Sequence, residues 1–167
     1  SSHPSDLPPP LPWYIAWQWV LFTVPAVSAT PITVVFWLFI RAAGPIDGLD
    51  ILTHAMNSVT VFLEVFITGL PVRLLHAVYP IFYLLWFTVF NLVYVEAGGT
   101  DRDGNHCIYE IFDFKENPLL TAWLVVAVAG LFLVSHLIIF SVSLVRDKIL
   151  AMVLTTQGRN PGKAKSQ

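Results

Sequence analysis

The sequence predicts an all-α fold, a polytopic bundle of transmembrane helices with four spans. Three observations carry that reading. The 167-residue chain is 56% hydrophobic and only 12% charged, about half the charged fraction usual in a soluble domain. Its apolar residues come in long runs, and its mean hydropathy is +0.69. Its charges mark the boundaries of those runs. No Asp, Glu, Lys or Arg occurs in 7–40, 74–95 or 117–145, and Glu64 is the one charge between Asp50 and Arg73. Four windows reach the roughly 20 residues that a helix needs to cross a bilayer core.

The first span is expected over 12–40, after a Pro-rich segment, 1–11. Pro12 suits a first helical position. Its 29 residues make about 43 Å of helix, more than a hydrocarbon core of about 30 Å requires. Pro25 and Pro31 remove backbone hydrogen bonds inside it, which predicts a kink. Trp13, Tyr14, Trp17 and Trp19 crowd its start, the pattern of an interfacial aromatic belt. The second span is expected over 48–70, closed by Gly69 and Pro71. The third covers 72–98, with Pro80 in its first half. The fourth covers 118–149, opened by Asn117 as N-cap and Pro118 as first helical residue. Together they make a bundle over 12–149.

Between the last two spans lies a loop, 99–117. "GGTDRDGN" is turn chemistry, and "HCIYEIFDF" reads as a short strand or hairpin on the membrane surface. "DRDGN" resembles the start of a calcium loop, but His106 stands where Gly is needed and Phe112 where Glu is needed. The tail, 150–167, reads as polar and disordered. Arg73, Arg146, Lys148, Arg159, Lys163 and Lys165 lie on one side, against Arg41, Arg102 and Lys115 on the other. Six against three predicts a cytosolic C-terminus and an outer 99–117 loop. Residue 1 is Ser, and no signal-type leader precedes the first apolar run, so the chain is expected to be a C-terminal portion or a partial product. No basic cluster suggests nucleic acid. No Gly-rich phosphate loop, nucleophile elbow or Cys/His cluster suggests a cofactor or a metal. A haem or metal between His54 and His136 lacks any sign of the space it needs. Cys107 cannot form a disulfide within this chain.

The second span carries the candidate site. At 100° per residue, Asp47, Asp50, His54, Asn57, Val61, Glu64 and Thr68 fall on one face. Asp50, His54, Asn57, Glu64 and Thr68 thus form a polar intramembrane stripe. An ionised carboxylate in lipid costs roughly 2.5–3.5 kcal/mol on insertion scales, so Glu64 is expected to face protein or water, or to be protonated. His76 and Asn91 of the third span and His136 of the fourth are its expected partners, with a His136–Glu64 contact as the specific expectation. Three uses are open. The stripe can be hydrogen-bonding glue between helices, the lining of a channel or transport path through His54, Asn57 and Glu64, or a catalytic face.

The stretch "LTHAMNSVTVFLEVFITGLPVRLLHAVYPIFYLLWFTVFNLVYVEAGGTDRDGNHCIYEIFDF" resembles the rolling stone family of multi-pass membrane proteins. The shared features are His-x-x-Asn near the start of one helix, the "PVRLLH…YP" junction, and "GGTD…G…IY…D" after the next helix. The resemblance covers Trp37 to Ile149. It implies an integral plasma-membrane protein with membrane lipids and cell-surface proteins as partners. The family's founding insect protein is associated with myoblast fusion. The resemblance implies no established catalytic residue.

A more distant similarity is to the androgen-induced family of membrane hydrolases, which cleave lipid esters with a threonine and a histidine. Their Asn-His-x-x-His-Thr-Thr motif aligns its first His with His54 and its catalytic His with Asn57. The threonine would lie upstream of Ser1. An amide cannot accept a proton from a hydroxyl at neutral pH, so the general-base role is lost at Asn57. A lipid ester hydrolase using His54 remains the enzyme alternative to a non-catalytic surface protein.

Overall fold

The computed structural model describes residues 12–41, 46–100 and 104–159. The Pro-rich segment, part of the first connection, residues 101–103 of the turn and the last eight residues lie outside the described residues. The described residues hold four helices long and apolar enough to cross a membrane. They are α1 (Trp13–Ile40), α2 (Gly48–Ile67), α3 (Leu74–Glu96) and α4 (Pro118–Arg159). α1 and α4 form the central pair, and each packs against both α2 and α3. One end of the bundle carries the starts of α1 and α3 and the end of α2. The other carries the α3–α4 loop and is called the loop end.

The exterior is more apolar than the interior. Ile67, Leu75, Phe82 and Trp86 stand exposed, while Thr23, Ser28, Asn91, Thr121, Ser135 and Ser143 are buried. This suits a bundle in lipid, where small and polar residues let helices approach and hydrogen-bond. Two apolar clusters fill the rest. Ala26, Ala29, Val61, Val65, Val72 and Ile139 pack together. Val27, Val35, Leu84, Phe112, Val128 and Phe132 pack together nearer the loop end.

α1 stays helical through Pro25 and Pro31. Pro31 lacks the N–H that would bond the Val27 carbonyl one turn back. Ser135 of α4 donates to that carbonyl at 2.9 Å, in a fully buried contact. The proline thus creates an acceptor on α1, and a serine from the facing helix satisfies it. Ser135→Ala is expected to cost about 1 kcal/mol, within the range of hydrogen bonds between membrane helices. Thermal unfolding in detergent should show that cost vanish in a Pro31→Ala background, where the backbone N–H returns. An undiminished cost there would refute the pairing.

Several boundaries differ from the sequence expectation. α2 ends at Ile67 and α3 starts at Leu74 with a short 3₁₀ turn, Leu74–Ala77. Pro71 therefore sits in a longer connection than expected. α4 does not stop near 149 but runs 42 residues to Arg159, about 63 Å at 1.5 Å each. "ILAMVLTTQGR" has good helix formers and no proline, so the helix already formed simply propagates. The expected strand over "HCIYEIFDF" is absent. A 3₁₀ turn, Glu110–Phe112, stands there, and the described residues hold no strand. A two-stranded hairpin is marginal alone, whereas Phe112 gains burial beneath the helices.

Candidate functional site

α2 opens on a capping box. Asp47 accepts from the Asp50 amide at 2.8 Å and the Asp50 carboxylate reaches back towards the Asp47 amide at 3.5 Å. Asp50 is therefore an end-of-helix group rather than part of an intramembrane face. A π turn follows, Ile51–Ala55. It faces a second π turn, Phe36–Ile40, at the end of α1. The His54 ring stacks on Phe36 with centroids 3.5 Å apart and planes 11° apart. Thr33 of α1 donates to the His54 carbonyl and shares a 2.9 Å hydrogen bond with Ser58. The polar side of α2 is thus joined to α1.

The stripe does not hold together as one lining. The inward face of α2 is His54, Ser58, Val61, Val65 and Thr68, half-buried or buried, while Asn57 and Glu64 are exposed at its edge. Asn57 donates its amide to the Thr53 carbonyl of its own helix. Thr68 donates to the Glu64 carbonyl at 2.8 Å. His54, Asn57 and Glu64 line three different depressions.

The expected partners also lie elsewhere. Asn91 is buried, but its amide bonds the Phe87 carbonyl of α3 at 2.9 Å. His76 is buried against Trp19 and Tyr79, at centroid distances of 5.8 and 5.6 Å. His136 donates through Nε2 to the Arg73 carbonyl at 3.1 Å. The expected His136–Glu64 contact is not formed: His136 takes the Arg73 carbonyl as its acceptor, and Glu64 is exposed. His54 and His136 likewise serve separate ends of the bundle.

Sequence reading missed Arg146. Although only 8% exposed, it ends α2 from across the bundle. Its guanidinium donates to the carbonyls of Val65 at 2.9 Å, Thr68, and Leu70 at 3.2 Å. Asp147 pairs with it at 2.8 Å. A cation suits the negative end of a helix and fills carbonyls that helix geometry leaves unpaired. Arg73 adds a cation–π contact over Trp19 at 5.2 Å. Arg73, His76, His136 and Arg146 therefore clamp the α2–α3 connection onto α1 and α4.

Towards the loop end lies an apolar cavity of about 240 Å³. Phe36, Tyr83, Phe87, Tyr109, Phe112 and Phe132 are among its walls, and His54 supplies an imidazole. The buried His54 Nδ1 meets no hydrogen-bond partner among the described residues. The cavity exceeds a 150 Å³ apolar cavity that accepts benzene. It suits an apolar chain carrying one polar group.

Past this cavity the α3–α4 loop is held by Asp113, buried in spite of its charge. Burial alone pushes its carboxyl up. The amides of Glu116 and Lys115 and the His106 ring outweigh that and hold it below its ordinary range. The Asp113 carbonyl accepts from Thr121 Oγ1 at 2.9 Å and from the Asn117 amide at 3.1 Å, which joins the loop to the first turn of α4.

The family model described as Protein rolling stone matches residues 13–155. Protein rolling stone of Drosophila melanogaster is 36% identical over 104 residues, 60% of this chain. The match spans 38% of that relative's length. No solved structure matches the chain.

Proposed function

The chain belongs to the rolling stone family, and on that premise we propose that it acts at the cell surface, in cell–cell interaction or in fusion of myoblast-like cells. The observation that carries the reading is the family match, which takes in all four helices. In this reading the protein is multi-pass in the plasma membrane with its C-terminus in the cytosol. The Lys and Arg distribution supports that orientation. Membrane lipids are its proposed small partners, with the aromatic cavity beside His54 as the place where an acyl chain enters. Proteins of the apposed cell are its proposed large ones. Asn57 supports a role without catalysis, since its amide is engaged with its own helix and has no basic nitrogen to offer a nucleophile.

The test is a content-mixing assay between two cell populations carrying halves of a split reporter. The full-length protein, tagged at its C-terminus, is expressed in one population or both. Mixing above that of vector controls, with the tag stained only after permeabilisation, is the expected result. Surface-resident protein with no gain in adhesion or mixing would overturn the proposal, and so would retention of all the protein in internal membranes.

A further inference from the structure

The α3–α4 loop brings together three side chains of different donor chemistry. His106 and Cys107 are adjacent, and Asp113 follows after the Glu110–Phe112 turn. One imidazole nitrogen, the Cys107 sulfur and one Asp113 oxygen all lie within 4.8 Å of one another. Cys107 is 2% exposed and Asp113 is 4% exposed, while the His106 side chain is 46% exposed. A His–Asp hydrogen bond, 2.7 Å from Nε2 to Oδ2, accounts for two members of the set. The Cys107 thiol is buried within reach of both.

The carboxylate is held as a ligand would be. Asp113 Oδ1 accepts the Lys115 amide at 2.9 Å and the Glu116 amide at 3.1 Å. Those bonds fix the carboxyl plane and leave Oδ2 turned to His106. Fixed outer partners of this kind orient metal ligands and hold them in the right charge state. The Asp113 backbone is anchored too, through Thr121 and Asn117.

We propose that His106, Cys107 and Asp113 bind a zinc ion. The donor set selects the metal. Thiolate with imidazole disfavours magnesium and calcium, which take oxygen ligands, and suits zinc. With zinc–ligand distances of about 2.0 Å to nitrogen or oxygen and 2.3 Å to sulfur, tetrahedral ligands lie about 3.3–3.5 Å apart. The three atoms lie within 4.8 Å of one another, so shifts of about an ångström bring them to that spacing. His106 must draw back from Asp113 by about half an ångström to replace the hydrogen bond with two metal bonds, and its partial exposure allows that. On binding, Cys107 loses its proton to solvent, and His106 binds as the neutral ring. Water takes the fourth position. The ion ties together the two ends of the segment that carries Tyr109 and Phe112, both walls of the aromatic cavity. Zinc would therefore set the shape of the cavity at the loop end.

Cobalt(II) is the probe, added to the full-length protein purified in detergent under reducing conditions. The expected signature is thiolate-to-cobalt charge-transfer absorption, bleached by an equivalent of zinc. Cys107→Ser should abolish it while leaving the size-exclusion profile unchanged. His106→Ala, at an exposed position, should weaken cobalt binding at least about tenfold, the lower bound for loss of a group that merely supports a ligand. Absence of the charge-transfer band, its survival in Cys107→Ser, or a Cys107 disulfide in the non-reduced protein would each overturn the proposal.

Discussion

Replacing Arg146 with alanine is expected to destabilise the bundle by about 3 kcal/mol, the order of one or two hydrogen bonds to a charged group. Three carbonyls at the end of α2 lose their donor at once. The Val65 carbonyl suffers most, because its bond is fully buried. Those of Thr68 and Leu70 are only part-buried, so water recovers some of their loss. Arg146→Lys should recover less than half of the effect. A single ammonium cannot span three carbonyls in a fixed plane as a guanidinium does. Asp147→Ala should cost well under 1 kcal/mol, as an exposed ion-pair partner. Thermal unfolding of the purified protein, followed by helical circular dichroism, gives the ranking. An Arg146→Ala protein as stable as the Asp147→Ala protein would show that the guanidinium does not end α2.

The second large effect is expected at His136. Its ring is buried, and its Nε2 holds the α2–α3 connection through the Arg73 carbonyl. His136→Ala opens a cavity and removes that bond, for a combined cost of about 2 kcal/mol. The estimate sits below that for a soluble core because the side chain of a membrane helix is not returned to water on helix separation. Two further variants separate the contributions. His136→Phe keeps the ring and loses the donor, so it should cost about 1 kcal/mol. His136→Gln keeps a donor and should lie nearer the native protein. Equal losses in all three would mean that shape and hydrogen bonding at this position do not act as described.

Both effects arise where sequence reading looked elsewhere. Arg146 entered the sequence analysis as one of six topology charges, which needs only its position between an apolar run and a polar tail. That it turns back into the bundle follows from where α2 ends, and α2 ends before Pro71 by an amount that helix propensity does not set. His136 looked like a partner for Glu64 because both lie inside their spans. Position within a span says nothing of azimuth, and the two side chains point to different neighbours. The helical wheel found real polarity on α2, with His54, Asn57, Glu64 and Thr68 on one face. It did not find which edge of that face turns inward. Packing against α1 buries Ser58 and Val65 instead of Asn57 and Glu64. A rotation of about one residue decides between a lined path and an exposed edge.

The sequence by itself determined what depends on local composition. Three charge-free runs and one interrupted by Glu64 marked four helices long enough for a bilayer, because no water in lipid can satisfy an open backbone. Pro118 and the breakers around Pro71 marked ends of those helices to within a few residues. Tertiary structure decided what depends on partners. It chose Ser135 for the carbonyl that Pro31 leaves open, sent Arg146 to the end of α2, and closed the His106, Cys107 and Asp113 side chains around one point. Each of those contacts joins groups whose meeting depends on the rotation and tilt of whole helices, or on the path of a loop between them. Those are set by the sum of many packing contacts, and no short stretch of sequence contains that sum.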